Sequence, residues 1–94
     1  MSILERLKIS LRLSTEELDE ELQALLDTAR HDLIRMGAAE VDCETPLGQL
    51  ARITYARAYY DPQAAQFERY LDCYKTMADE LRKSTHNGGV SGNE

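Results

Sequence analysis

The chain has 94 residues, 43% of them hydrophobic, a length that bounds it to one domain with a single modest core. Its formal charge of -6 argues against a surface built to hold nucleic-acid phosphates through counterion release, although it leaves room for DNA passing nearby. No run approaches the roughly 18 apolar residues of a membrane span, and the N-terminus lacks the apolar core of a signal peptide. Cys43 and Cys73 lie outside any zinc or redox spacing and read as plain small residues.

Ile3, Leu4, Leu7 and Leu11 fall at helical spacing, so residues 2–12 read as a short amphipathic helix. With Arg6, Lys8 and Arg12 against Glu5, it is the one net-basic part of the chain. Such a face is either solvated or a docking surface for an acidic neighbour.

Ser14 and Glu17 have the spacing of a capping box, and the acids that follow suit the positive end of a helix dipole. Leu18, Leu22, Leu25, Leu26, Ala29, Leu33 and Met36 form one stripe, and Gly37 is a natural stop. The spacing predicts a second helix over residues 15–36. Its outer face carries Glu16, Glu17, Asp19, Glu20, Glu21, Asp27 and Asp32 against Arg30 and Arg35. A carboxylate-bridged metal site in a helical bundle needs inward carboxylates and Glu-x-x-His pairs. These acids point away from the leucine stripe and no Glu-x-x-His exists, so no metal or cofactor is expected. Asp27 and His31, one turn apart, read as a surface pair.

Residues 38–45 form an acidic connection, and Thr45-Pro46 reads as an N-cap with proline in the first helical turn. From Pro46 to Tyr60, Leu47, Leu50, Ala51, Tyr55, Ala58 and Tyr59 spread over more than half the circumference, leaving Gln49 and Arg52 as the wet strip. A helix apolar most of the way round is buried, so this third helix is expected at the centre of the fold. Asp61-Pro62 ends it and opens a fourth helix over residues 62–84, with Phe67, Tyr70, Leu71, Tyr74, Met77, Ala78 and Leu81 on one stripe. The tyrosines of the last two helices, with Phe67, read as an aromatic zipper. Residues 85–94, with three glycines and almost nothing apolar, are expected to be a disordered tail.

The expected architecture is therefore all-α: a compact four-helix bundle over residues 1–84, with a flexible tail over 85–94. There is no strand candidate, phosphate loop, nucleophile elbow or placed Cys–His pair, and the chain does not read as an enzyme. A helix-turn-helix reading suffers because the third helix offers only Gln49, Arg52 and Arg57 to a DNA groove.

The order of segments LRLST, LDEELQALLDTARHDLIRMG, PLGQLARITYARAYYDP and FERYLDCYKTMADEL resembles the small head–tail connector (DNA-packaging adaptor) proteins of long-tailed bacteriophages and prophages. The resemblance covers residues 1–84. Its most distinctive pieces are Asp19-Glu20-Glu21-Leu22, Ala29-Arg30-x-Asp32-Leu33, Ile53-Thr54-Tyr55, and Phe67-x-x-Tyr70 followed by Tyr74. The turn at Asp61-Pro62 departs from the glycine expected there.

The resemblance implies a non-enzymatic virion protein of the neck, assembled in the host cytoplasm. Such proteins form a ring, typically of twelve copies, on the portal; they extend the DNA channel without reading its sequence, and receive the next neck or stopper protein. For this chain, it implies an interface drawn from Arg6, Lys8, Arg12, Glu16, Glu17, Glu20 and Asp27, and a portal-docking tail at Thr85, His86, Asn87, Gly88 and Gly89. The other reading is a small helical regulatory module that binds another protein, or a helix-turn-helix DNA binder.

Overall fold

The computed structural model describes the backbone of residues 1–90 and the side chains of residues 1–83. It contains four α-helices, α1 (Ile3–Leu11), α2 (Asp19–Arg35), α3 (Pro46–Tyr60) and α4 (Phe67–Val90), with a short 3-10 helix, Glu40–Glu44, before α3. No strand occurs among the described residues. The side chains of Thr85, His86, Asn87, Gly88 and Gly89, and residues 91–94 altogether, lie outside the described residues, and the tail expectation with them.

Each helix start has a local cause. Ser2 caps α1 through a full capping box: its hydroxyl accepts from the Glu5 N–H, and Glu5 Oε1 accepts from the Ser2 N–H at 2.8 Å. Arg12 ends the helix in the left-handed conformation (φ 60°), with its N–H closing back on Ile9 and Lys8. Thr45 caps α3 by accepting from the Gly48 N–H at 3.1 Å, with Pro46 in the first turn, as the sequence predicts.

The second and fourth helices begin later than expected. The box predicted at Ser14 and Glu17 does not form: the Glu17 N–H donates to Thr15 Oγ1 instead, and Asp19 N–H turns back onto the Glu16 carbonyl. A local Ser/Thr turn has won over a helical one, and α2 starts at Asp19 rather than residue 15. Likewise, Asp61 Oδ1 accepts from the Gln63 N–H, and two tight turns carry the chain through Ala64 to Phe67, five residues past the expected start. The α4 backbone then continues to Val90, beyond the expected stop near residue 84.

Helix α3 is central, as its apolar circumference predicts, and serves two core clusters. Ile53 and Ala56 pack with Leu7 of α1 and Leu22 and Leu26 of α2. Ala51 packs with Leu33, Cys43, Tyr74, Ala78 and Leu81, tying α2, the 3-10 helix and α4 together. Each fully buried leucine contributes roughly 1.5–3 kcal/mol of transfer free energy. Small residues let the backbones close in. At Gly48, a Cβ would lie 2.1 Å from the Asp42 carbonyl oxygen, so no other residue fits there without moving the 3-10 helix.

Two side chains of α3 exchange their expected roles. Arg52, predicted wet, is 4% exposed, and Leu50, predicted buried, is 48% exposed. The cause is the placement of α2 and the 3-10 helix on one side of α3. That side brings a carbonyl and a carboxylate to the arginine and leaves the opposite side, with Leu50, uncovered. Tyr59, also counted as core, is 40% exposed.

The aromatic zipper forms between α3 and α4. The Tyr55 ring lies 4.6 Å from Tyr59 at a tilt of 42° and meets Tyr74 edge-on at 5.0 Å, while Tyr59 meets Phe67 edge-on at 5.5 Å. Tyr60 stays outside it, at the protein surface, and Tyr70 pairs with Arg57 instead.

Candidate functional site

The charged residues singled out from the sequence divide into those used inside the fold and those left outside. Lys8 Nζ lies 2.7 Å from Asp19 Oδ1, so the basic helix docks on the acidic one within a single chain. Arg6 Nη1 donates to Gln49 Oε1 of α3 at 2.7 Å. Arg12, the C-cap of α1, is exposed, and its side chain makes no hydrogen bond or ion pair among the described residues. The hydrogen bond from the Ser2 N–H holds the Glu5 carboxyl below the usual range, so it is ionised near neutral pH.

Glu16 and Glu17 in the turn before α2, and Glu20 and Glu21 in its first turn, are exposed and have no ion-pair partner among the described residues. Asp27 accepts from Gln23 Nε2 at 2.9 Å and lies 3.8 Å from Arg52 Nη2. The structure therefore does not gather Arg6, Lys8, Arg12, Glu16, Glu17, Glu20 and Asp27 into one site. It leaves an acidic outer face on α2 and a short mixed face on α1.

Arg52 is the internal staple that sequence reasoning missed. Its Nε donates to the Leu26 carbonyl at 3.2 Å and its Nη1 to Glu44 Oε2 at 3.2 Å. Arg30 reaches the same carboxylate, at 3.4 Å, and also Glu40, at 3.2 Å. The hydrogen bond that Arg30 donates to Glu40 raises its pKa further. One cluster of two arginines and two glutamates thus clips the 3-10 helix to α2 and α3. A second polar contact crosses the core: the Tyr74 hydroxyl donates to Asp32 Oδ2 at 2.6 Å, and Asp32 also accepts from Arg35. Burial first, and then this bond to a carboxylate, push the Tyr74 phenol far up.

On the side of α3 away from Arg52 runs a groove of about 550 Å³ between α3 and α4, lined by Leu50, Thr54, Tyr70, Asp72, Cys73, Thr76 and Met77. Arg57 packs against Tyr70 of this lining. Its Nη2 donates to the Tyr70 hydroxyl at 2.7 Å, its guanidinium carbon sits 4.8 Å from the Tyr70 ring centre, and its Nε is buried without a hydrogen-bond partner. Arg69 and Glu80 of α4 are exposed and without an ion-pair partner among the described residues. The groove was hidden in the sequence because Leu50 and Met77 count equally well as core. The Thr54, Cys73 and Thr76 positions around them were the available signal.

Among the described residues, no group of three or more His, Cys, Asp or Glu side chains is placed to hold a metal ion, and no helix is long and apolar enough to cross a membrane. Cys43 is buried and its thiol is pushed up by burial, whereas Cys73 is exposed. No family model matches the chain, and neither a curated protein nor a solved structure matches it. The geometry offers two surfaces: an acidic face on α2, and on the far side of α3 a largely apolar groove.

Proposed function

We propose that this chain is a structural head–tail connector adaptor, which forms a ring on the portal, extends the DNA channel and joins capsid to tail. The observation that supports this most is the pair of unlike surfaces on opposite sides of α3. A ring needs a heterologous contact, in which one face of each subunit meets a different face of the next. A small helical domain whose uncovered groove is separate from its acidic face has the means for that, and the segment order along the chain is the one expected of these adaptors.

In this role the exposed Glu16, Glu17, Glu20 and Glu21 face the lumen, where like charge keeps DNA phosphates from sticking. The cations of α1 contribute less to the ring than their number suggests. Lys8 and Arg6 are engaged inside the chain, which leaves Arg12 to reach outward. Thr85 to Gly89 are assigned to portal docking in this proposal.

The test is co-expression with the cognate portal and isolation of portal rings by an affinity tag on the portal. The adaptor reading expects the chain to stay on the portal through washing, and a chain ending at Lys83 to be recovered poorly. Portal rings that emerge bare would reject it in favour of a regulatory module.

A further inference from the structure

Helices α2, α3 and α4 together line a cleft of about 500 Å³ that carries Arg35 and Lys75 against one acid, Asp32. In a chain of formal charge -6, a hollow with more cations than acids is unusual. Both Asp32 oxygens are already in use: Oδ1 accepts from Arg35 and Oδ2 from the Tyr74 hydroxyl. Arg35 spends only Nη2 on that bond. Its Nε and Nη1 donate to nothing among the described residues, and its side chain is largely exposed. Lys75 is exposed and has no ion-pair partner among the described residues. The acids one turn from Lys75 lie outside this lining: Asp72 belongs to the α3/α4 groove, and Asp79 pairs with Arg82 and Lys83.

The wall of the cleft is aromatic. The Tyr55 ring lies 4.6 Å from Tyr59 and 5.0 Å from Tyr74, so this surface is held in place before any ligand arrives, with Met36 and Leu71 beside it. The Tyr55 hydroxyl makes no hydrogen bond among the described residues. Burial raises its pKa, so near neutral pH it is protonated and able to donate.

We infer that this cleft binds a small organic acid, with the carboxylate received by Arg35, Lys75 and the Tyr55 hydroxyl and an apolar or aromatic body laid against the tyrosine wall. Donors that carry charge give the stronger hydrogen bonds, and those of Arg35 and Lys75 are free to turn toward a ligand. The volume is within the range of small-ligand sites, and so is the make-up, a few polar groups converging over an apolar surface. The same chemistry rejects a matching amine, which would meet two like charges. This site goes beyond the ring reading and does not depend on it.

The probe is hydrocinnamate, a carboxylate two carbons from a phenyl ring, titrated into isotope-labelled protein and followed by amide NMR. Saturable shifts are expected at residues 32–36, 55, 59 and 71–75, with a dissociation constant in the millimolar range. Acetate lacks the body and hydrocinnamyl alcohol lacks the charge, and each should bind at least about tenfold more weakly. Arg35→Met should weaken hydrocinnamate about tenfold and Lys75→Met about threefold, with Tm within about 3 °C of wild type because both side chains are exposed. An alcohol that binds as well as the acid reduces the cleft to an apolar hollow, and acetate that binds as well reduces it to a surface anion site. Either result overturns the inference, as do shifts centred on the α3/α4 groove, unchanged affinity in Arg35→Met, or no saturable shift.

Discussion

Replacing Gly48 by alanine tests how closely the 3-10 helix is held against α3. On an open helix the change stabilises by roughly 1 kcal/mol, because glycine is the poorer helix former. At position 48 the added Cβ meets backbone on three sides: 2.1 Å from the Asp42 oxygen, 2.6 Å from the Cys43 carbonyl carbon and 2.7 Å from its Cα, where ordinary contact begins at 3.4 Å. None of these atoms can swing aside as a side chain would. The 3-10 helix must back away by more than an ångström, which loosens buried Cys43 and draws Glu44 from Arg52 and Arg30. Overpacking of this kind costs about 1–3 kcal/mol and the weakened ion cluster about 1 more, so after the helix gain the net loss is about 1–3 kcal/mol. For a domain of this size that lowers Tm by about 5–20 °C, read by far-UV circular dichroism. Gly37→Ala is the comparison. Its φ of +115° strains alanine, but the nearest obstacle is the flexible Arg82 side chain, and a loss of about 1–2 kcal/mol is expected. A Gly48→Ala protein that melts at or above wild type would refute the close approach of the two elements.

Arg52→Met removes a buried guanidinium and leaves the Leu26 carbonyl and Glu44 without it. Because Glu44 is partly exposed and recovers water, the loss should be about 1–3 kcal/mol in urea melts; a change within about 0.5 kcal/mol would return Arg52 to the surface role the sequence suggested. Stability should also fall in alkali. The Tyr74 phenol is raised in the folded chain, so its contribution is complete below its unfolded pKa of about 10 and is lost above it, by about 1.4 kcal/mol per pH unit. Tyr74→Phe should flatten that slope, and an unchanged slope would mean the phenol is not held neutral by the fold. Finally, a thiol reagent such as DTNB should label Cys73 at once and Cys43 only as the chain unfolds, whereas equal rates at both would contradict the burial of the 3-10 helix.

Helix order, the central place of α3, and the Thr45-Pro46 start were all readable, because periodicity and capping act over a few residues. What escaped reading depends on neighbours distant in the chain. Arg52 reads as wet in isolation; only the arrival of Leu26 and Glu44 makes a buried arginine tolerable there. Leu50 reads as core, and only the absence of a helix over that side of α3 leaves it exposed. The capping boxes show the same limit at short range. Ser2-x-x-Glu5 and Ser14-x-x-Glu17 are equivalent patterns, yet the second loses to a turn made by Thr15. The candidate site was partly legible in the same sense. Exposed acids on α2 could be counted from the sequence, but the ion pair that ties Lys8 to Asp19 inside the chain could not.

The most direct test of the adaptor reading is the mass of the cognate portal ring, measured by light scattering before and after saturation with this protein. The account predicts a gain equal to a full ring, typically twelve 10.7 kDa chains, that survives chromatography. A portal mass that does not change at saturating concentration contradicts it.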